Sequence, residues 1–182
     1  HLDYFKNLEN IRKSFHKFAE NIAEGGSLVI NTAIENYREI TAGLKPNIIS
    51  YGSADEKADV YAKSITISNM GTYSFDVYYK GSFECRIDLK VPGRHNVDNA
   101  LAAFAAAKVF EIDNKFIKEG LENYGGTDRR FQYKGNFNGI TVIDDYAHHP
   151  TEVKATLSAA KNIEKNKLWC IFQPHTYSRT YN

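Results

Sequence analysis

Apolar positions repeat with two different periods along this 182-residue chain. From Asp3 to Ala23, the residues Phe5, Leu8, Ile11, Phe15, Phe18 and Ile22 recur at helical spacing and predict one amphipathic helix. Gly25-Gly26 is its expected end. Ser27 to Asn31 predicts a short strand, Ile34 to Leu44 a helix and Asn47 to Tyr51 a second strand, an alternation that indicates an α/β layer. Between Asp59 and Val91 the period falls to two, over 60–67, 72–79 and 83–91. Met70-Gly71 and Lys80-Gly81 supply the turns, so this stretch predicts an antiparallel meander. Helical patterns return at Asn96–Phe110, which is rich in alanine and suited to close packing, and at Lys115–Asn123.

Gly125-Gly126 breaks the pattern and is the expected domain boundary, with units at 1–124 and 125–182. A single sheet crossing residue 125 would contradict that division. Beyond it, strands are expected at 129–135 and 139–145, a helix from Thr151, and a last strand at Leu168–Phe172. The fold class is therefore α/β with an embedded antiparallel meander.

Composition narrows the classes of function. Hydrophobic residues make up 42% and charged residues 25%, as in ordinary globular proteins. A formal net charge of +1 gives no electrostatic case for nucleic acid or for an anionic membrane surface as partner. No apolar run approaches the roughly 20 residues of a membrane helix. Cys85 and Cys170 each sit in an apolar, strand-like run and are expected to be buried, reduced thiols of a cytoplasmic protein. The chain opens His1-Leu-Asp-Tyr without methionine, as an excised piece would. Its oligomeric state cannot be read from these features.

Four polar constellations interrupt the pattern. Asp144-Asp-Tyr-Ala-His-His-Pro-Thr-Glu152 follows the predicted strand ending at Ile143 and precedes a helix that Pro150 can open. Ligands bind at such carboxyl ends in open α/β sheets; the bland alternative is a polar loop with a helix cap. Gly93-Arg-His-Asn-Val-Asp-Asn99 opens the alanine-rich helix, and Asn96 and Asn99 share one side of its first turn. Paired amides suit a purine edge, although by themselves they are better read as helix caps. Arg129-Arg130 lies just past the boundary, where an arginine could reach phosphate or remain a solvated charge. Phe172-Gln-Pro-His-Thr-Tyr-Ser-Arg-Thr180 again follows a predicted strand, with His175 and Arg179 one helical turn apart.

Taken in order with His1-Leu-Asp-Tyr-Phe and Gly126-Thr-Asp-Arg-Arg-Phe131, these motifs resemble those of the Mur ligases, from the first residue almost to the last. The resemblance implies a partial P-loop-type central domain followed by a partial Rossmann-like C-terminal domain. It implies ATP-dependent amide synthesis through an acyl phosphate, with Mg²⁺, in peptidoglycan precursor synthesis. The implied small-molecule substrates are UDP-N-acetylmuramic acid and L-alanine. In the sibling branch, which recycles murein peptide onto the same sugar nucleotide, phenylalanine is expected where this chain has Tyr146, and no Gln-Pro-His. By the same resemblance, His1 matches a magnesium ligand, and His95, Asn96, Asn99, Arg130 and Asp145 match the nucleotide site. Tyr146, His148, His175 and Arg179 match the amino-acid and product side, with Arg130 and His148 in catalytic roles. Some relatives carry arginine where this chain has Thr176.

The family's glycine-rich loop ending Gly-Lys-Thr is absent from these residues, as are its UDP-binding domain and its magnesium-holding glutamate. The expectation is a piece of a ligase without activity of its own. A non-catalytic nucleotide- or peptide-binding module on the same fold is the alternative.

Overall fold

The computed structural model describes residues 2–163 and 165–174. His1, His175, Thr176 and Arg179 therefore lie outside the described residues.

The expected N-terminal helix is two helices, α1 (Leu2–Phe5) and α2 (Leu8–Ala19). Lys6 turns to φ 66°, and the Asn7 side chain accepts from the Asn10 N–H at 2.8 Å, a cap that starts a new helix. The Asn21 amide donates to the carbonyls of Lys17 and Phe18, which ends α2 well before Gly25-Gly26. The apolar face read from the spacing is only partly covered, since Leu8, Phe15 and Phe18 remain exposed.

Strands β1 (Ser27–Asn31) and β2 (Asn47–Gly52) pair in parallel, Ser27 opposite Asn47. Helix α3 (Tyr37–Thr41) between them is shorter than its pattern, because Asn36 is left-handed and Ala42 is already extended. Then comes the meander: β3 (Val60–Ile67), β4 (Thr72–Tyr79) and β5 (Ser82–Pro92). Strand β3 joins β2 in parallel, and the sheet order is β1-β2-β3-β4-β5. Lys80 and Gly81 both take positive φ, 49° and 84°, as a two-residue type I′ hairpin requires.

Helix α4 (His95–Val109) lies on this sheet and carries its core. Val97, Leu101, Phe104 and Ala105 meet Val60, Phe75, Val77 and Ile87 with no side chain in that set accessible to water. Each large apolar side chain so buried contributes about 1.5–3 kcal/mol. Helix α5 (Asn114–Asn123) packs on β5 through Ile117, its N-cap Asp113 accepting from the Lys115 N–H. Cys85 is half-buried on β5, and burial pushes its thiol up.

After Gly125-Gly126 the chain forms a separate two-stranded sheet, β6 (Gln132–Phe137) and β7 (Ile140–Asp144), joined by Asn138-Gly139. Among the described residues no strand pairing joins it to the larger sheet. Strand β6 begins later than expected because Arg129 and Phe131 are left-handed, which breaks regular strand pairing there. Helix α6 (Pro150–Lys161) follows with Pro150 in its first turn, as its sequence predicted. The strand expected at Leu168–Phe172 is not formed: among the described residues no partner strand satisfies its backbone, and Trp169 and Ile171 are 83% and 101% exposed. Cys170, expected to be buried there, is exposed.

Candidate functional site

A cavity of about 1090 Å³ opens where the first turn of α4 faces the β6–β7 hairpin and α6. That volume is large enough for a nucleotide-sized ligand. His95, Asn96 and Asn99 line one side, and Arg130, Asp145 and Glu152 the other. The five residues assigned to nucleotide by resemblance are thus neighbours around one space. Tyr146 and His148 do not line it.

On the α4 side, Gly93 sits at φ 102°, and a Cβ there would come 2.7 Å from His95 Cε1. Only glycine lets the imidazole fold back in this way. Burial by the cavity walls lowers the His95 pKa, Asp145 and Asp98 pull against that, and Arg130 adds to it. His95 still touches solvent through the open cavity, but the protein around it favours the neutral ring. The helix-cap reading of the two asparagines fails, because the N-cap is Arg94 and makes no side-chain cap bond. Asn96 instead donates to the Pro92 carbonyl at 2.8 Å, and Asn99 donates to Asn96 Oδ1 at 3.0 Å. That linkage fixes both amides, and among the described residues no hydrogen bond occupies Asn99 Oδ1.

Opposite, Asp145 leaves the end of β7. One carboxylate oxygen accepts from the Ala147 N–H at 2.7 Å; the other accepts from the Phe131 N–H at 3.0 Å and the Thr156 hydroxyl at 2.8 Å. A carboxylate has about four acceptor positions, so little capacity remains for a ligand hydroxyl. Arg130 comes from the turn before β6, between Arg129 at φ 59° and Phe131 at φ 49°. Non-glycine residues in that region cost on the order of 1 kcal/mol or more, and they persist where the surroundings over-determine them. The Arg130 guanidinium is 3.6 Å from Glu152 and half open to solvent, so the pair adds at most about 1 kcal/mol to stability.

The Asp144–Glu152 stretch forms the polar loop and helix cap that its sequence allowed, and Asp145 and Glu152 within it line the cavity. His149 is the N-cap of α6 and accepts from the Thr151 N–H, while Glu152 accepts from the His148 and His149 N–H groups at 3.3 Å each. Burial would raise the Glu152 carboxyl, but those two N–H donors, with Arg130 and His148, outweigh it and hold the group below its ordinary value. Asp144 faces Arg129 at 3.8 Å. The Arg129 guanidinium lies 4.4 Å over the Tyr146 ring, which meets His148 edge-on at 5.5 Å. His148 Nδ1 also lies 3.1 Å from the Tyr146 carbonyl. Tyr146 and His148 thus form a strap beside the cavity, tied to it through Glu152.

Sequence reasoning assigned no role to Glu152, Thr156 or Arg129. A glutamate at the third position of a proline-led helix was a legible capping signal for the first. Thr156 gave none beyond being a polar residue in an alanine-rich helix. Among the described residues no cluster of three or more His, Cys, Asp or Glu side chains could hold a metal ion.

Two family models match this chain. The Mur ligase middle domain matches residues 1–107, and the Mur ligase glutamate ligase domain matches residues 129–180. This chain belongs to the Mur ligase family. A relative from Agathobacter rectalis, a UDP-N-acetylmuramate–L-alanine ligase, is 51% identical over 99% of this chain and 39% of its own length. The chain thus spans about two fifths of the curated Mur ligases it matches. Among solved structures, the UDP-N-acetylmuramate-alanine ligase of Thermotoga maritima superposes with a TM-score of 0.71 at 31% identity, over 90% of this chain and 36% of the other. A murein peptide ligase from Psychrobacter arcticus gives 0.64 at 31% identity, over 86% and 33%. The mixed α/β fold is that of the solved Mur ligases.

Proposed function

We propose that this chain is the nucleotide- and amino-acid-facing part of a cytoplasmic, ATP-dependent ligase that joins L-alanine to the muramyl carboxylate of UDP-N-acetylmuramic acid. The observation that carries this reading is the convergence of His95, Asn96, Asn99, Arg130 and Asp145 on one cavity. The activity named for the relatives supports the choice of substrates. In this reading residues 1–124 and 125–182 are two units flanking the cavity, with Gly125-Gly126 between them.

ATP bound there would supply the phosphoryl group that turns the muramyl carboxylate into an acyl phosphate, which an amine attacks with loss of phosphate. The donor set fits such a ligand. Asn99, fixed by Asn96, offers an amide to a purine edge, and the neutral His95 ring lies beside it. Arg130 faces the polyphosphate and stabilises its developing charge. Asp145 has one acceptor position to give a ribose hydroxyl, and otherwise holds the Arg130 turn. Tyr146 and His148, with His175 and Arg179, receive the amino acid, and a guanidinium at Arg179 matches its carboxylate. Mg²⁺ falls to His1.

The test is ADP release by the full-length protein with ATP, UDP-N-acetylmuramic acid and either L-alanine or the murein tripeptide. Turnover with L-alanine about tenfold or more above the peptide supports the reading. The reverse preference makes it the recycling ligase, a reading that the identity with the Psychrobacter arcticus enzyme keeps in view. Nucleotide binding without ADP release from either pair leaves a non-catalytic module. Arg179→Ala should raise KM for L-alanine and leave that for ATP nearly unaltered.

A further inference from the structure

Arg130 brings a positive charge to the cavity from the hairpin side, and its turn is strained on both flanks. Two contacts hold that turn from one helix. Glu152 and Thr156 are four residues apart on α6, so both project from the same face, and both line the cavity. Glu152 Oε1 lies 3.6 Å from the Arg130 guanidinium. The Thr156 hydroxyl donates to Asp145 Oδ2, and the same oxygen accepts from the Phe131 N–H, directly after Arg130 in the chain. On the other flank, the Tyr146 N–H donates to the Arg129 carbonyl at 2.8 Å.

We propose that Glu152 and Thr156 are positioning residues that clamp Arg130 at both ends. Glu152 does so through the guanidinium, and Thr156, by way of Asp145, through the backbone of the turn. Neither needs to touch a ligand. Thr156 anchors the carboxylate, which then cannot rotate away from the Phe131 amide, and the left-handed pair 129 and 131 is kept in place. Glu152 keeps the guanidinium at the cavity wall until a stronger anion takes it. The stated consequence, aim at a polyphosphate, rests on the nucleotide reading above; the clamp itself does not.

Thr156→Val removes the hydroxyl at nearly constant volume, and Thr156→Ser restores it. In the full-length protein, Thr156→Val should speed hydrogen exchange of the Phe131 amide by about tenfold. It should weaken ATP binding, measured by calorimetry, by about fivefold, while Thr156→Ser stays within about twofold of wild type. Glu152→Gln keeps an oxygen for the two capping N–H groups but loses the charge, and should weaken ATP binding similarly without altering Phe131 exchange. In an Arg130→Ala background neither substitution should weaken ATP binding further, because a residue acting through Arg130 has nothing left to position. Unchanged Phe131 exchange in folded Thr156→Val, or losses that persist in the Arg130→Ala background, would overturn the clamp. If Arg130→Ala alone binds ATP normally while Phe131 exchange still responds to Thr156→Val, the clamp stands and the nucleotide reading falls.

Discussion

The two sheets of this chain are held in opposite ways. Around the five-stranded sheet, position is set by burial: Phe75, Val77, Ile87, Leu101 and Phe104 are wholly enclosed, and backbone hydrogen bonds run along the strands. Around the β6–β7 hairpin, among the described residues, only Ala159 and Ala160, both on α6, are buried. There the geometry comes from a few side chains, chiefly Asp145, His149, Glu152 and Thr156, bonding to backbone and to one another. Apolar packing is non-directional and tolerant, whereas a hydrogen bond specifies a distance and an angle. The core side therefore supplies stability, and the polar side supplies aim.

That contrast can be broken by substitution. Phe104→Ala should be the largest effect, with about 3–5 kcal/mol lost from a site with no solvent access, read as a large fall in melting temperature. Asp145→Ala strands the Phe131 and Ala147 N–H groups and frees the Arg130 turn. It should cut ATP affinity at least tenfold, about 1.4 kcal/mol, with a smaller loss of melting temperature than Phe104→Ala. Asn99→Ala should weaken ATP binding to a similar degree with almost no change in melting, because its amide makes one exposed contact. Should Asn99→Ala melt early and bind normally, the division between a stabilising and an aiming side is wrong.

The smallest effect concerns pH. The folded His95 pKa lies below the ordinary imidazole value near 6.5. The unfolded chain therefore binds the proton first as pH falls. The contribution of a neutral His95 is complete above that ordinary value and is lost as pH drops through the lower folded one. His95→Gln should flatten the decline of melting temperature between about pH 7 and 5. A profile that overlays wild type would remove the burial argument for this ring.

What was legible in the sequence follows the same line. The meander, its Lys80-Gly81 turn, α4 and the proline-led start of α6 were readable, because period and turn chemistry act locally. The N-terminal helix was over-extended because its apolar spacing runs on through Lys6-Asn7, where the cap decides against it. Leu168–Phe172 was misread because strand composition cannot supply a partner strand. The motifs around Asn96, Arg130 and Asp145 announced polar chemistry, but only folding brings them to one cavity. Thr156 was silent, since its meaning depends on the rotation of α6 over the end of β7, a tertiary fact with no local signature.

The solvent-open contact between Arg130 and Glu152 makes ionic strength a probe of the site. An arginine with no prior partner gains its full attraction to an arriving phosphate, and that gain is strongly screened as salt rises. Here the arginine exchanges one anion for another, and screening weakens both. With a Debye length of about 8 Å at 0.15 M and 3 Å at 1 M, the two losses partly cancel. Nucleotide affinity should fall less steeply with salt in the wild-type protein than in Glu152→Gln, where the exchange becomes a simple capture.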